Sequence, residues 1–199
     1  MSSIRRLGLL APLVAVSLAG CGINSVPTSE ENVNAKWGQV QSEYQRRADL
    51  IPNLVETVKG YAKQESSVLI AVTQARADAG RVQLSASDLD DPAKVRAFND
   101  AQGRLTQAII PLQRLQEAYP ELKSNQNFLT LQSQIEGTEN SILVARKDYN
   151  EAVQAYNTRI RTFPDAIGAK IFYGAKPKVP FEAAAGAQTA PKVDFNTAG

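Results

Sequence analysis

The chain has 199 residues, with 22 Lys and Arg against 20 Asp and Glu, no histidine, one cysteine and one methionine, the initiator. These absences exclude histidine-containing catalytic triads, histidine-ligated metal sites and an intramolecular disulfide, and leave no thiol nucleophile if Cys21 is consumed by modification. A carboxylate-only or Ser/Lys site stays open. The whole charge excess lies in Arg5 and Arg6. The rest of the chain is formally neutral, which argues against a nucleic-acid binder or a basic reader of membrane surfaces.

Arg5 and Arg6 precede an apolar run, residues 7–18, that is too short to span a bilayer comfortably. It closes on Leu18-Ala19-Gly20-Cys21. The pattern resembles the lipobox of bacterial lipoproteins, which implies cleavage before Cys21 and a lipid on its thiol. Two acyl chains, at about 0.8 kcal/mol per buried methylene, anchor a protein stably. The alternative is an ordinary secretory signal with a cysteine nearby. Gly22, rather than Asp, favours the outer membrane under the Gram-negative sorting rule. Residues 1–20 thus read as a signal peptide, and about 180 residues remain, enough for one domain.

Residues 21–28 read as a tether. Thr28 or Ser29 can cap a helix whose first turn carries Glu30 and Glu31. Two seven-residue rows then run to about residue 79. One holds Val33, Val40, Arg47, Leu54, Tyr61 and Val68; the other holds Trp37, Tyr44, Ile51, Val58, Glu65 and Val72. Such rows form the seam of left-handed helix packing. Pro52 interrupts the segment, predicting either a kinked continuous helix or a break with Asp49 as the new cap. Residues 80–91 read as a polar loop. Asp91-Pro92 starts the next helix, which turns Val95, Phe98, Leu105, Ile109, Leu112 and Leu115 inward, kinks at Pro111 and closes at Tyr119-Pro120. A last helix over residues 125–163 carries Phe128, Ile135, Ile142, Tyr149, Tyr156 and Phe163 at unbroken seven-residue spacing, and Pro164 ends it. At about 1.5 Å per residue it is roughly 58 Å long. The expected fold is all-α: an up-and-down antiparallel bundle of three long helices, about four if the first splits, over residues 29–173. Residues 174–199 read as an extended Pro/Ala-rich tail. It repeats Pro177-Lys178-Val179-Pro180-Phe181 as Pro191-Lys192-Val193-Asp194-Phe195.

Several strings carry a family resemblance: Gln45-Arg46-Arg47-Ala48-Asp49-Leu50-Ile51-Pro52-Asn53-Leu54-Val55, Val58-Lys59-Gly60-Tyr61-Ala62, Tyr119-Pro120-Glu121-Leu122-Lys123, Asn127-Phe128, Glu139-Asn140, and the doubled Tyr149-Asn150 and Tyr156-Asn157. The chain resembles the LemA family of bacterial membrane-associated proteins from about residue 33 to 195. The resemblance implies a bundle of about four helices and no assigned enzymatic activity. Two departures stand out. Family members commonly carry an uncleaved transmembrane helix where this chain has the lipobox, and Tyr173-Gly174-Ala175-Lys176-Pro177 replaces a usual Gly-Phe and Lys-Pro.

Arg47 and Glu65 occupy seam positions, and Glu139 and Arg146 flank the seam of the last helix. Buried charges need partners. With the first and last helices parallel, as three long helices require, Arg47 falls level with Glu139, and Glu65 with Arg159 or Arg161. These charges read either as a polar pocket or as register-setting ion pairs. Tyr149, Asn150, Tyr156, Asn157, Phe181 and Phe195 are candidate interaction residues; the tyrosines also suit a core position with the hydroxyl at its boundary. The leading functional expectation is a non-enzymatic, lipid-anchored envelope bundle that binds another protein. It is attached to a membrane through Cys21, at the periplasmic face of the outer membrane if the cell is Gram-negative. It needs no cofactor, metal or nucleic acid. An adaptor or regulator of an envelope protease or assembly machine, a small-ligand binder or enzyme using the seam charges, and a self-assembling scaffold remain as alternatives.

Overall fold

The computed structural model describes residues 24–182. The leader, Cys21 and the second Pro-Lys-Val-x-Phe copy with Phe195 lie outside them. The described residues form helices α1 (Ser25–Tyr61), α2 (Ser66–Arg81), α3 (Pro92–Ala118), the short α4 (Pro120–Ser124), α5 (Gln126–Arg159) and a single-turn α6 (Asp165–Gly168) that runs on into a π-helical turn, Ala169–Tyr173.

The heptad rows of α1 become its buried stripe: Val33, Trp37, Val40, Tyr44, Arg47, Ile51, Leu54 and Val58. The helix begins at Ser25, so residues expected in the tether are helical, and Thr28 donates its hydroxyl to Asn24 O rather than capping a later start. Pro52 neither breaks α1 nor starts a new helix. Proline removes the N–H that would bond the carbonyl four residues back, here that of Ala48. Arg76 of α2 donates its Nε to Ala48 O at 2.7 Å, so the carbonyl is satisfied by a neighbouring helix.

The reversal comes ten residues after Pro52, at residues 62–65, where the expected long segment is cut. Ala62 closes α1 through a bond to Val58 O, and Glu65 precedes α2. The bundle therefore has four long helices, and α5 runs antiparallel to α1, not parallel as expected. Lys36 meets Asp148, Arg47 meets Glu139, and Tyr61 meets Asn125: position falls along α5 as it rises along α1. The Arg47–Glu139 pair lies near mid-helix, where the two directions nearly coincide. Glu65 lies at the far end, bonded to the Tyr119 hydroxyl, and does not reach Arg159. Arg159 instead bonds Ser25 O and lies 3.7 Å from Asp165.

Asp91 caps α3 by accepting from the N–H of Ala93 and Lys94, and Pro92 takes the first helical position. Pro111 sits within α3. Asn125 caps α5 through Phe128 N–H. α5 ends at Arg159, before the expected Phe163, and Phe163 is 82% exposed. The core falls into two clusters: a first, around Trp37, Tyr44, Phe98, Tyr149 and Phe181, and a second, around Ile51, Leu54, Val58, Leu105, Leu112 and Phe128.

α2 stops beside the middle of α1. From there to the N-terminal end of α1, the fourth position in the bundle is filled by residues 82–91 and by the start of the tail. Leu84, Leu89 and Phe181 supply the apolar surface that a longer α2 would have given. Residues 174–182 are thus a strap packed on the bundle.

Removing the Arg76 donor should expose the consequence of Pro52. Arg76→Ala is expected to lower unfolding free energy by about 1–2 kcal/mol in urea titrations. In a Pro52→Ala background the cost should shrink, because residue 52 regains an N–H for Ala48 O. Equal costs in both backgrounds would disprove the compensation.

Candidate functional site

Arg47 sits between the two apolar clusters and is 1% exposed. Its Nη1 donates to Thr106 Oγ1 at 2.7 Å and to Glu139 Oε1 at 2.8 Å. Its Nη2 donates to Gln102 Oε1 at 2.6 Å and Gln102 O at 3.3 Å, and the guanidinium lies 5.1 Å from the Tyr44 ring centre. One side chain from α1 thereby joins α3 and α5 in a single polar layer. Gln102 and Thr106 were not singled out from the sequence, although Gln102 stands in the inward row of Phe98, Leu105 and Ile109 and was marked by its polarity there.

The strap site is built on α5. Asn150 donates Nδ2 to Phe181 O at 3.0 Å and accepts from Phe181 N–H at 2.8 Å. Asn157 donates to Lys178 O and accepts from Lys178 N–H, both at 2.8 Å. Each amide satisfies one residue's complete backbone pair, as a neighbouring β-strand would. The spacing explains the heptad repeat of Tyr-Asn. Seven helical residues rise about 10.5 Å, and three extended residues, Lys178 to Phe181, span about 10 Å. Tyr149 donates its hydroxyl to Val179 O at 3.0 Å, while Val179 N–H donates to Leu89 O at 2.8 Å. Burial pushes the Tyr149 phenol well above its ordinary pKa. Burial, with Glu30 and Asp90 nearby, raises that of Tyr156 to about 12.

Phe181 enters an aromatic nest of Trp37, Phe98 and Tyr149, with ring centres 5.2–6.4 Å away. Arg146 covers it at 4.8 Å and donates to Glu182 O. Lys178, 9% exposed, pairs with Glu30 at 2.9 Å, and Lys176 with Asp90 at 3.3 Å. The turn beneath is held by a reciprocal Ser85–Asp88 cap with Lys94 against the carboxylate. Hydrogen bonds from Lys94 and Ser85 hold the Asp88 pKa down to about 2.

The five seam charges therefore do not form one pocket. Arg47 and Glu139 pair in the layer, Arg146 lies between the Tyr44 hydroxyl beside that layer and the strap, Glu65 lies at the turn before α2, and Arg159 lies at the opposite end. A cleft of about 350 Å3 between α1, α2 and α3 is lined by Tyr44, Gln45, Arg76 and Gln102, without Arg47 or Glu139. Among the described residues no His, Cys, Asp or Glu cluster of three or more is placed to hold a metal ion, and no helix is long and apolar enough to cross a membrane.

An antiparallel four-helix arrangement closed by a C-terminal strap defines the class of protein. Residues 36–195 match the LemA family, and the chain belongs to that family. Similar curated proteins are the magnetosome proteins MamQ 1 and MamQ 2 of Paramagnetospirillum magneticum, each 26% identical over 157 residues, covering 71% of this chain and 58% of theirs. Protein LemA of Metamycoplasma hominis is 22% identical over 141 residues, covering 70% of this chain and 60% of its own. The chain thus spans less than two thirds of the length of these relatives.

Two measurements check this geometry. Arg47→Ala should destabilise by about 3–5 kcal/mol, because Gln102 and the surrounding core lose their partner at once, whereas Glu139→Gln, a third exposed and still an acceptor but without the charge that faces the buried guanidinium, should cost less, about 1–2 kcal/mol. Equal losses would refute the layer as drawn. The raised tyrosine pKa values favour the folded state fully below the unfolded phenol value near 10, and that contribution is lost as pH rises through about 12. Ultraviolet titration should show late-ionising phenols that ionise together with loss of helical circular dichroism, and Tyr149→Phe should reduce that late step.

Proposed function

We propose that this protein is a lipid-anchored, non-enzymatic module of the bacterial cell envelope that holds extended peptide segments and so binds another protein. The observation that carries the reading is the paired clamp of Asn150 and Asn157. It holds the backbone of an extended segment, with one pocket for an aromatic side chain and one half-exposed acid, Glu30, for a buried lysine. This is peptide recognition of the strand-addition kind, with backbone bonds giving affinity and alternate pockets giving selectivity. The clamp is occupied in cis by residues 177–181, and the tail carries a second copy of the same pattern at Pro191-Lys192-Val193-Asp194-Phe195. Engagement of Arg47, Glu139 and Arg146 in contacts within the bundle and strap, away from the lining of the cleft between α1, α2 and α3, supports a non-enzymatic role. The Leu18-Ala19-Gly20-Cys21 string supports attachment through Cys21, and Gly22 favours the outer membrane in a Gram-negative cell.

The test is crosslinking of the lipoprotein in its own membranes, with mass spectrometric assignment of the linked peptides and of the Cys21 modification. Reproducible links from the strap, the tail or the α5 face to one envelope protein are expected. Links confined to the chain's own residues would overturn the partner reading in favour of self-assembly, and an unmodified Cys21 would overturn the anchor. Asn150→Ala with Asn157→Ala should lose about 1–3 kcal/mol of stability per clamp, read from thermal melts, and should loosen the strap to proteolysis between residues 174 and 182.

A further inference from the structure

Of the eleven large apolar side chains exposed among the described residues, five fall in one short segment. Phe163 is 82% exposed, Ile167 52%, Ile171 69%, Phe172 65% and Tyr173 42%, all within eleven consecutive residues. Residues 163, 167 and 171 recur every fourth position, and only Gly168 and Ala169 turn toward the bundle. Soluble proteins seldom gather such side chains without a partner surface.

The position of this segment identifies the surface. Arg159, at the end of α5, donates to Ser25 O at the start of α1, and Ala169 packs in the same cluster as Val26. The exposed segment therefore lies at the end of the bundle where α1 begins. Cys21 is four residues before Ser25, and four residues of chain reach at most about 14 Å between Cα atoms. Arg161 and Lys170 are exposed in and beside the same segment, its one acidic residue, Asp165, lies 3.7 Å from Arg159, and Lys176, which follows, is paired with Asp90. Apolar and aromatic side chains among cations suit the headgroup region of an anionic bilayer.

We propose that residues 163–173 form a membrane-contact tip, in which Phe163, Ile167, Ile171 and Phe172 enter the lipid interface beside the acylated Cys21 and hold the bundle upright on its anchor. The inference rests on the lipid-anchor reading above. The anchor sets proximity; the tip sets orientation. A single lipid attachment point does not by itself set orientation.

Lipidation converts the only thiol to a thioether, so a single introduced cysteine can be labelled uniquely. Ile171→Cys and Leu143→Cys, the latter 64% exposed near the middle of α5, would be made in the full lipoprotein, purified from membranes and labelled with an environment-sensitive fluorophore. The proteins would then be placed in phosphatidylethanolamine–phosphatidylglycerol vesicles with and without brominated acyl chains. The expected result is blue-shifted emission and at least a two-fold brominated-lipid quench at position 171, with neither at 143. Aqueous emission at both positions would overturn the tip while leaving the anchor intact. A blue shift without quenching would also overturn it, since a second copy of the chain would then be the covering surface. Failure of the labelled proteins to float with vesicles would overturn the anchor and the inference with it. Phe163→Ser with Phe172→Ser should preserve flotation and the circular dichroism melt, yet reduce the quench at 171; an unchanged quench would count against these side chains as the contact.

Discussion

The bundle depends on burying the guanidinium of Arg47. A charge taken from water costs several kcal/mol unless its hydrogen-bonding capacity is met. Here the four hydrogen bonds of its two terminal nitrogens form only when α3 brings Gln102 and Thr106, and α5 brings Glu139, to one level of α1, while the buried Nε has no hydrogen-bond partner. Sliding α5 by one turn would take Glu139 away and leave the buried Arg47 with its α3 partners but no counter-charge. Leucine-like seams alone tolerate such slips, because one apolar contact resembles the next. The layer therefore makes the correct register more favourable than its neighbours, and its use is specificity more than net stability. It also separates two apolar clusters that share α1, α3 and α5 and differ in what fills the fourth position.

Those clusters are built differently. The one beyond the layer is enclosed by helices on every side, with α2 packed on α1 and α3. The one nearer the start of α1 lacks the fourth helix and is closed by a turn and a strap. Extended chain is a poor filler, because its backbone groups have no partners of their own. Asn150, Asn157, the Leu89 carbonyl and the Tyr149 hydroxyl supply those partners from outside. The helices thus act toward the strap as a sheet edge would.

Much of the helical architecture was legible in the sequence because seven-residue rows report directly which stripe is buried. The direction of α5 was not legible. The rows ran on through Tyr61 and Glu65, so the segment read as one helix with Pro52 its weak point. The proline was the stronger local signal, yet Arg76 satisfies the carbonyl it leaves free, an interaction between helices that no local rule displays. The true turn was marked more faintly, by Gly60 and by a glutamate in an apolar row. Glu65 was taken to need a buried partner, when its polarity signalled a corner of the bundle. The Tyr-Asn repeat was visible and its spacing was right, but its purpose needed the strap beside it. A tail rich in Pro and Ala gives no periodicity from which docking could be read.

The strap also fixes an order of events. Synthesis proceeds from the N-terminus, and domains acquire structure as their parts emerge. The far cluster is complete once Ile135 has emerged. The near cluster, which begins with Val26, still lacks Phe181 at that stage. Trp37 and Phe98 must wait for a ring encoded almost at the end of the described chain. The part of the molecule made first is the part finished last, so a chain truncated before residue 181 would keep one half well packed and leave aromatic surface open at the other.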